Sequence, residues 1–358
     1  MLAALVGVQI AAGLLLGGAL DLGTRVGLFV LIIVGVALWL CGGVLRGRIP
    51  LPTRRVFLWA ALLAGIFLIS TKLAPASVGM MPAWAAAAAG LWLFPAVTLL
   101  SEEGRLRVEK FLYAAAWLMV LLAVRQWLDG EASPSSTLAD PAAFAGAILL
   151  LLPTAARRGD WALAAGLVVC LWWTRSVGAW LGLSAALLLH RRAVGPVAFW
   201  AGVAAGFAVM VAAYADLHSP GALHLLDGWG AAWRLALDAP WLGQGPLHAS
   251  VHQHFLETAA ERGWPYLLLW VAGLTLLLRR AAPVLRFGPI ALLVYGLVDS
   301  PLSVPGAFWL FCFCAASAQQ ESEDAAAVRA SRRIPVAAIL LVLAWLAAAW
   351  ANGLRGAS

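Results

Sequence analysis

Charge is what this chain has least of. Only 11% of its 358 residues are Asp, Glu, Lys or Arg, against about a quarter in soluble domains. Hydrophobic residues make up 63% and the mean hydropathy is +0.90, which excludes an ordinary soluble enzyme. Cysteine is also scarce: Cys41, Cys170, Cys312 and Cys314 all lie in apolar runs with no CxxC or Cys/His ligand spacing, so they read as core thiols. There is no HExxH, no repeat with a period of about 20 to 50 residues, and no pair of interrupted spans of the kind that marks a transporter. The start of the chain lacks a basic n-region and a small-residue cleavage site, so 2–20 is expected to be a first span rather than a removed signal. A net charge of +7 can signal nucleic acid. In a chain this apolar, Lys and Arg report membrane topology first, and no nucleic-acid partner is expected.

What the chain has in abundance is long apolar runs. At about 20 residues per bilayer crossing, candidate spans fall at 2–20, 26–45, 56–73, 81–100, 111–128, 141–155, 161–174, 176–190, 193–214, 264–278, 282–299, 306–318 and 334–351. The runs 141–155 and 306–318 are short for a full crossing, so about 12 or 13 transmembrane helices are expected. The fold class is therefore all-α, a polytopic integral membrane protein with a single membrane domain, 1–358. With loops 46–55, 101–110, 156–160, 191–192, 279–286 and 319–333 in the cytoplasm, that side holds 17 of the 24 Lys and Arg. The N-terminus is then cytoplasmic, and the long polar interval 215–263 is an outer, periplasmic loop.

The few cations left on the outer side invite a use. Lys72, Arg125 and Arg175 sit at the outer ends of spans, where a charge is costly unless paired or functional. Snorkelling explains any one of them, whereas several together offer a pocket for an anionic headgroup. In the outer loop, 227–241 (DGWGAAWRLALDAPW) suits a short surface helix carrying Trp229, Trp233 and Arg234. After Gly243 and Gly245 a second helix is expected from about Ser250 as N-cap, placing His252, Phe255, Leu256 and Ala259 on one face and turning His254 elsewhere. Three readings of the histidines His248, His252 and His254 stay open at this point: a metal site with Glu257 and Glu261, side chains resting at the lipid interface, or a catalytic histidine among arginines.

The third reading gains from a motif. Gly243-Gln244-Gly245, His252-Gln253-His254-Phe255-Leu256, Glu261 and Gly263 resemble the pattern G-x-G, spacer, H-N-x-[FY]-L-x(4)-E-x-G of the O-antigen ligase and polymerase superfamily. Upstream, Trp233 and Asp238-Ala239-Pro240 resemble the approach to that turn. Weaker matches follow the family order: Leu138-Ala139-Asp140-Pro141-Ala142, then Thr174-Arg175-Ser176-Val177-Gly178-Ala179-Trp180, then Tyr295 to Ser300 with Asp299. Together they cover about 135–310, while the first 130 or so residues match in hydropathy alone. The chain departs from the pattern at three places: Val177 stands where the arginine after the serine belongs, Trp229 where a loop arginine belongs, and Gln253 where the asparagine belongs.

The resemblance implies a GT-C-like glycosyltransferase of the inner membrane, metal-independent and inverting, with no cofactor. Its donor would be a glycan on undecaprenyl pyrophosphate, and its acceptor a hydroxyl of a lipid or glycan on the periplasmic face. His252 would act as general base or acceptor-positioning group, with Arg175 and Arg234 on the leaving pyrophosphate, as paired guanidinium contacts suit. Lys72 and Arg125 are reserve cations, His248 and His254 neighbours, Glu261 an orienting group near Arg262, and Asp299 the partner of a basic group or a helix cap. Apolar grooves between spans would hold the polyprenyl tail among the membrane lipids. Ligase and polymerase share the motif, and a transporter or an inactive scaffold are the alternatives of another class.

Overall fold

The computed structural model describes residues 1–16, 22–45, 47–50, 54–73, 80–190, 195, 199–200, 202–204, 206–208, 220–245, 253–279, 283–317 and 327–329, with the backbone alone at some helix ends. Among these the protein is all-α apart from one small ribbon. The helices are α1 (Leu2–Leu15), α2 (Leu22–Leu45), α3 (Arg54–Leu73), α4 (Met80–Thr98), α5 (Glu102–Leu128), α6 (Pro141–Arg157), α7 (Trp161–Trp173) and α8 (Val177–Leu189). Then come α9 (Pro220–Asp238), α10 (His254–Arg262), α11 (Trp264–Arg279), α12 (Pro283–Tyr295) and α13 (Pro305–Ser317). Strands β1 (Arg48–Pro50) and β2 (Ala327–Arg329) pair antiparallel, with Arg48 opposite Arg329. Eleven of the expected spans coincide with a helix; 334–351 and most of 193–214 lie outside the described residues.

Local chemistry sets the helix starts. Ser101, Asp140, Asp160 and Ser176 each accept a backbone N–H from the first turn that follows them, and Pro141 stands at the first position of α6, where no N–H is needed. Small residues let the helices approach closely. A Cβ at Gly182 of α8 would come within 2.2 Å of the Ala291 carbonyl oxygen of α12, and one at Gly306 of α13 within 2.3 Å of the Gly13 carbonyl of α1.

Successive contacts sort the loops into two ends. At the first end Arg157 pairs with Glu109 at 2.8 Å, Tyr113 donates to Asp160, and Arg286 Nε donates to His190 Nε2 at 3.2 Å. At the second end Trp127 stacks on Trp173, Ser70 donates to the Leu242 carbonyl, and Thr137 donates to the Leu14 carbonyl. The exterior is apolar: Val30, Val34 and Leu38 of α2, Leu58 and Leu62 of α3, and Leu118 and Leu121 of α5 are exposed. Among the described residues one helix, α5 with 27 residues, is long and apolar enough to cross a membrane by length and composition, and the other apolar helices are shorter.

Candidate functional site

Three glycines hold α10 across the second end. Gly243, Gly245 and Gly263 all have left-handed backbone, with φ of 71°, 91° and 83°, which a side chain would strain. Gln244 and Gly245 donate their N–H groups to the carbonyls of Ala260 and Glu261 at 2.8 and 3.1 Å, and Trp264 donates back to Pro240 at 2.9 Å. The approach is close on both sides: a Cβ at Gly243 would meet the Glu261 carbonyl carbon at 2.2 Å, and one at Gly263 the Trp241 carbonyl oxygen at 2.4 Å. The G-x-G and E-x-G elements of the motif are thus two halves of one backbone clasp.

Four separate stretches of sequence meet there. The backbone N–H of His254 lies 3.1 and 3.2 Å from the carbonyls of Gly296 and Asp299, fixing the start of α10 to the end of α12. Ser300 Oγ donates to the Glu257 carboxylate. The Tyr295 hydroxyl is 2.8 Å from Ser176 Oγ and 3.3 Å from both the Ala142 carbonyl and Asp299 Oδ2. Segments 138–142, 174–180, 253–263 and 295–300, separated by up to more than 100 residues, therefore form one polar cluster under a largely apolar bundle end. Ser176, Tyr295 and Ser300 are not singled out as site residues from sequence, and Glu257 enters there only as a carboxylate of the metal reading. Ser176 had a visible signal as an N-cap inside the Thr174–Trp180 match, and Tyr295 stood four positions before Asp299.

The expected site residues divide unevenly. His248 and His252 lie outside the described residues, and of Lys72 only its backbone place on the last turn of α3 is described. Arg175 is exposed at the end of α7 with φ 52°, immediately before the Ser176 cap. Arg234 is exposed on α9 and bonds back to the Gly230 carbonyl of its own helix at 3.3 Å. Arg125 is exposed and pairs with Asp129 at 3.6 Å on the last turn of α5. Glu261 and Arg262 face each other at 3.7 Å, and the guanidinium lies over the rings of Phe67 at 4.5 Å and Tyr266 at 5.2 Å. Asp299 accepts from Tyr295 and from the Ser300 N–H.

Two local expectations are corrected. The second outer helix begins at His254 with Gln253 as N-cap, its side chain accepting from Leu256 N–H, rather than at Ser250; Ser250 and His252 themselves lie outside the described residues. His254 is buried rather than turned away. The first outer helix is also longer than 227–241 suggested, starting at Pro220.

Burial pushes His254 down from its ordinary range to about 3, with the Arg262 charge two turns further along α10 adding to the effect. His254 is therefore neutral at physiological pH. At the opposite end, the Leu163 N–H and the Tyr113 hydroxyl hold Asp160 below the usual carboxylate range. Among the described residues no three His, Cys, Asp or Glu side chains converge as a metal site would need. The geometry defines an all-α protein with a polar cluster at one bundle end. No protein-family model matches the chain, and no curated protein matches it significantly. The likeness to the ligase and polymerase superfamily accordingly rests on the motif residues themselves.

Proposed function

We propose that this is a polytopic inner-membrane glycosyltransferase that moves a glycan from undecaprenyl pyrophosphate to an acceptor hydroxyl at the second end of the bundle, facing the periplasm. The observation that carries the reading is the meeting of 138–142, 174–180, 253–263 and 295–300 at one end. Those four stretches are the ones that resemble the family, and nothing in local sequence requires them to be neighbours. The membrane assignment is supported by the exposed Leu, Val and Trp side chains of the helix exteriors, since contiguous apolar surface on this scale is unstable in water.

In this reaction His252 takes the acceptor proton while the acceptor oxygen bonds to the anomeric carbon from the side opposite the pyrophosphate. The bond from that carbon to the phosphate oxygen breaks, and undecaprenyl pyrophosphate leaves with the electron pair. Arg175 and Arg234 stabilise the charge that develops on it. Of the two, Arg175 is the nearer along the chain to the polar cluster, directly before Ser176, whose hydroxyl meets that of Tyr295.

The test is the glycan and lipid profile of cells lacking the protein, complemented with Arg175→Ala or His252→Ala. Accumulated lipid-linked polymer with bare acceptor identifies a ligase; accumulated single repeat units identify a polymerase. Normal profiles in the deletion strain refute both. An inactive membrane scaffold is the second reading, favoured by the way Arg234 spends a hydrogen bond on its own helix; it requires full complementation by His252→Ala.

A further inference from the structure

The second end carries an aromatic feature that the polar cluster does not use. The indoles of Trp127, on the last turn of α5, and Trp173, at the end of α7, stack with centroids 4.9 Å apart and planes 9° from parallel. Trp127 is nevertheless 47% exposed, so the stack leaves about half of the residue open. The stack draws the ends of α5 and α7 together, and the same two helix ends carry the exposed Arg125 and Arg175. Ser176, three positions after Trp173, leads directly into the polar cluster through its 2.8 Å contact with Tyr295.

The turn after Trp127 is polar: Arg125 and Asp129, paired on the last turn of α5, have side chains 78% and 66% exposed, and Gly130 and Glu131 follow. An indole half exposed and fixed by a partner from another helix differs from a single interfacial tryptophan with its ring free to tilt in the headgroups. The negative face of an indole attracts the electropositive C–H groups on one side of a pyranose ring, while charged neighbours can bond its hydroxyls or a linked phosphate. Because the stack already holds the ring, little ordering entropy is lost on binding.

We infer that the Trp127–Trp173 stack is a saccharide-binding platform that takes the C–H face of a pyranose ring in the transferred glycan. The inference takes its ligand class from the glycosyltransferase reading and adds a binding surface to it.

The experiment uses the full chain in nanodiscs and two probes kept apart: an array of soluble bacterial-surface oligosaccharides, and farnesyl pyrophosphate. Wild type should retain at least one oligosaccharide class. Trp127→Ala should lose about fivefold to tenfold in that binding, the scale of one aromatic contact, whereas Trp127→Phe should keep most of it. Farnesyl pyrophosphate binding should survive Trp127→Ala and fall with Arg175→Ala. Absence of oligosaccharide binding in wild type, or equal binding by Trp127→Ala, overturns the platform and assigns the stack to the lipid interface. Oligosaccharide binding without farnesyl pyrophosphate binding leaves the platform standing and refutes the lipid-linked donor instead.

Discussion

Gly243→Ala is the sharpest test of how the outer segment is held. The new methyl would stand 2.2 Å from the Glu261 carbonyl carbon, 2.3 Å from its oxygen and 2.4 Å from the Arg262 nitrogen. All three are backbone atoms of α10 and cannot rotate aside. Alanine at φ 71° adds a left-handed penalty of about 1 to 2 kcal/mol, and overpacking a tight contact costs about 1 to 3 kcal/mol. The expected loss is therefore about 2 to 5 kcal/mol, relieved by separation of 243–245 from α10. Gly230→Ala is the control: nothing lies within 4 Å of a Cβ there, and alanine in a helix interior should gain up to about 1 kcal/mol. Thermal unfolding in detergent gives the stability order, and hydrogen exchange gives the location. Gln244 and Gly245, whose N–H groups bond to Ala260 and Glu261, should lose protection in Gly243→Ala while the amides of α6 keep theirs. Unchanged protection at 244 and 245 would refute the clasp, whatever the melting temperature.

Ser176→Ala removes both the cap on the Ala179 N–H and a partner of the Tyr295 hydroxyl; unfolding should show a loss of about 1 to 2 kcal/mol, with Ser176→Thr close to wild type. Burial lowers His254 to about 3 in the folded protein, below its value near 6.5 in an unfolded chain. Its contribution is complete above the unfolded value and is lost as pH falls from there toward about 3, at up to about 1.4 kcal/mol per pH unit. His254→Asn should flatten that part of the pH–stability curve, and an unchanged slope would reassign the titration. Arg262→Met keeps the side-chain stem but removes the cation over Phe67 and Tyr266; about 1 to 2 kcal/mol should be lost in thermal unfolding. Arg262→Lys should not restore it, since an ammonium cannot lie flat against two rings.

What sequence could disclose here was whatever depends on near neighbours. Apolar runs located the helices, and Asp140 before Pro141 marks the start of α6 as clearly in the chain as in the fold. The start of α10 was misplaced because Ser250 is the stronger cap by residue type, whereas the position is set by the bonds of the His254 N–H to Gly296 and Asp299, more than 40 residues away. Gly243 announced a turn but not its partner, since the Glu261 backbone it touches approaches only in the folded chain. Tyr295 entered only as the first residue of a motif match, since the Ser176 hydroxyl that its own meets lies 119 positions away. The position of Arg175 has a physical account of the same kind. It follows the negative end of α7 and stands directly before the Ser176 cap of α8, so the two helix dipoles act on its charge with opposite sign. Residue 177, the first of α8, is a valine, so no side-chain cation at that position opposes the positive end of α8. The N-terminal amides of α8 and the Arg175 guanidinium therefore both contribute positive potential at the second end, where Ser176 meets Tyr295.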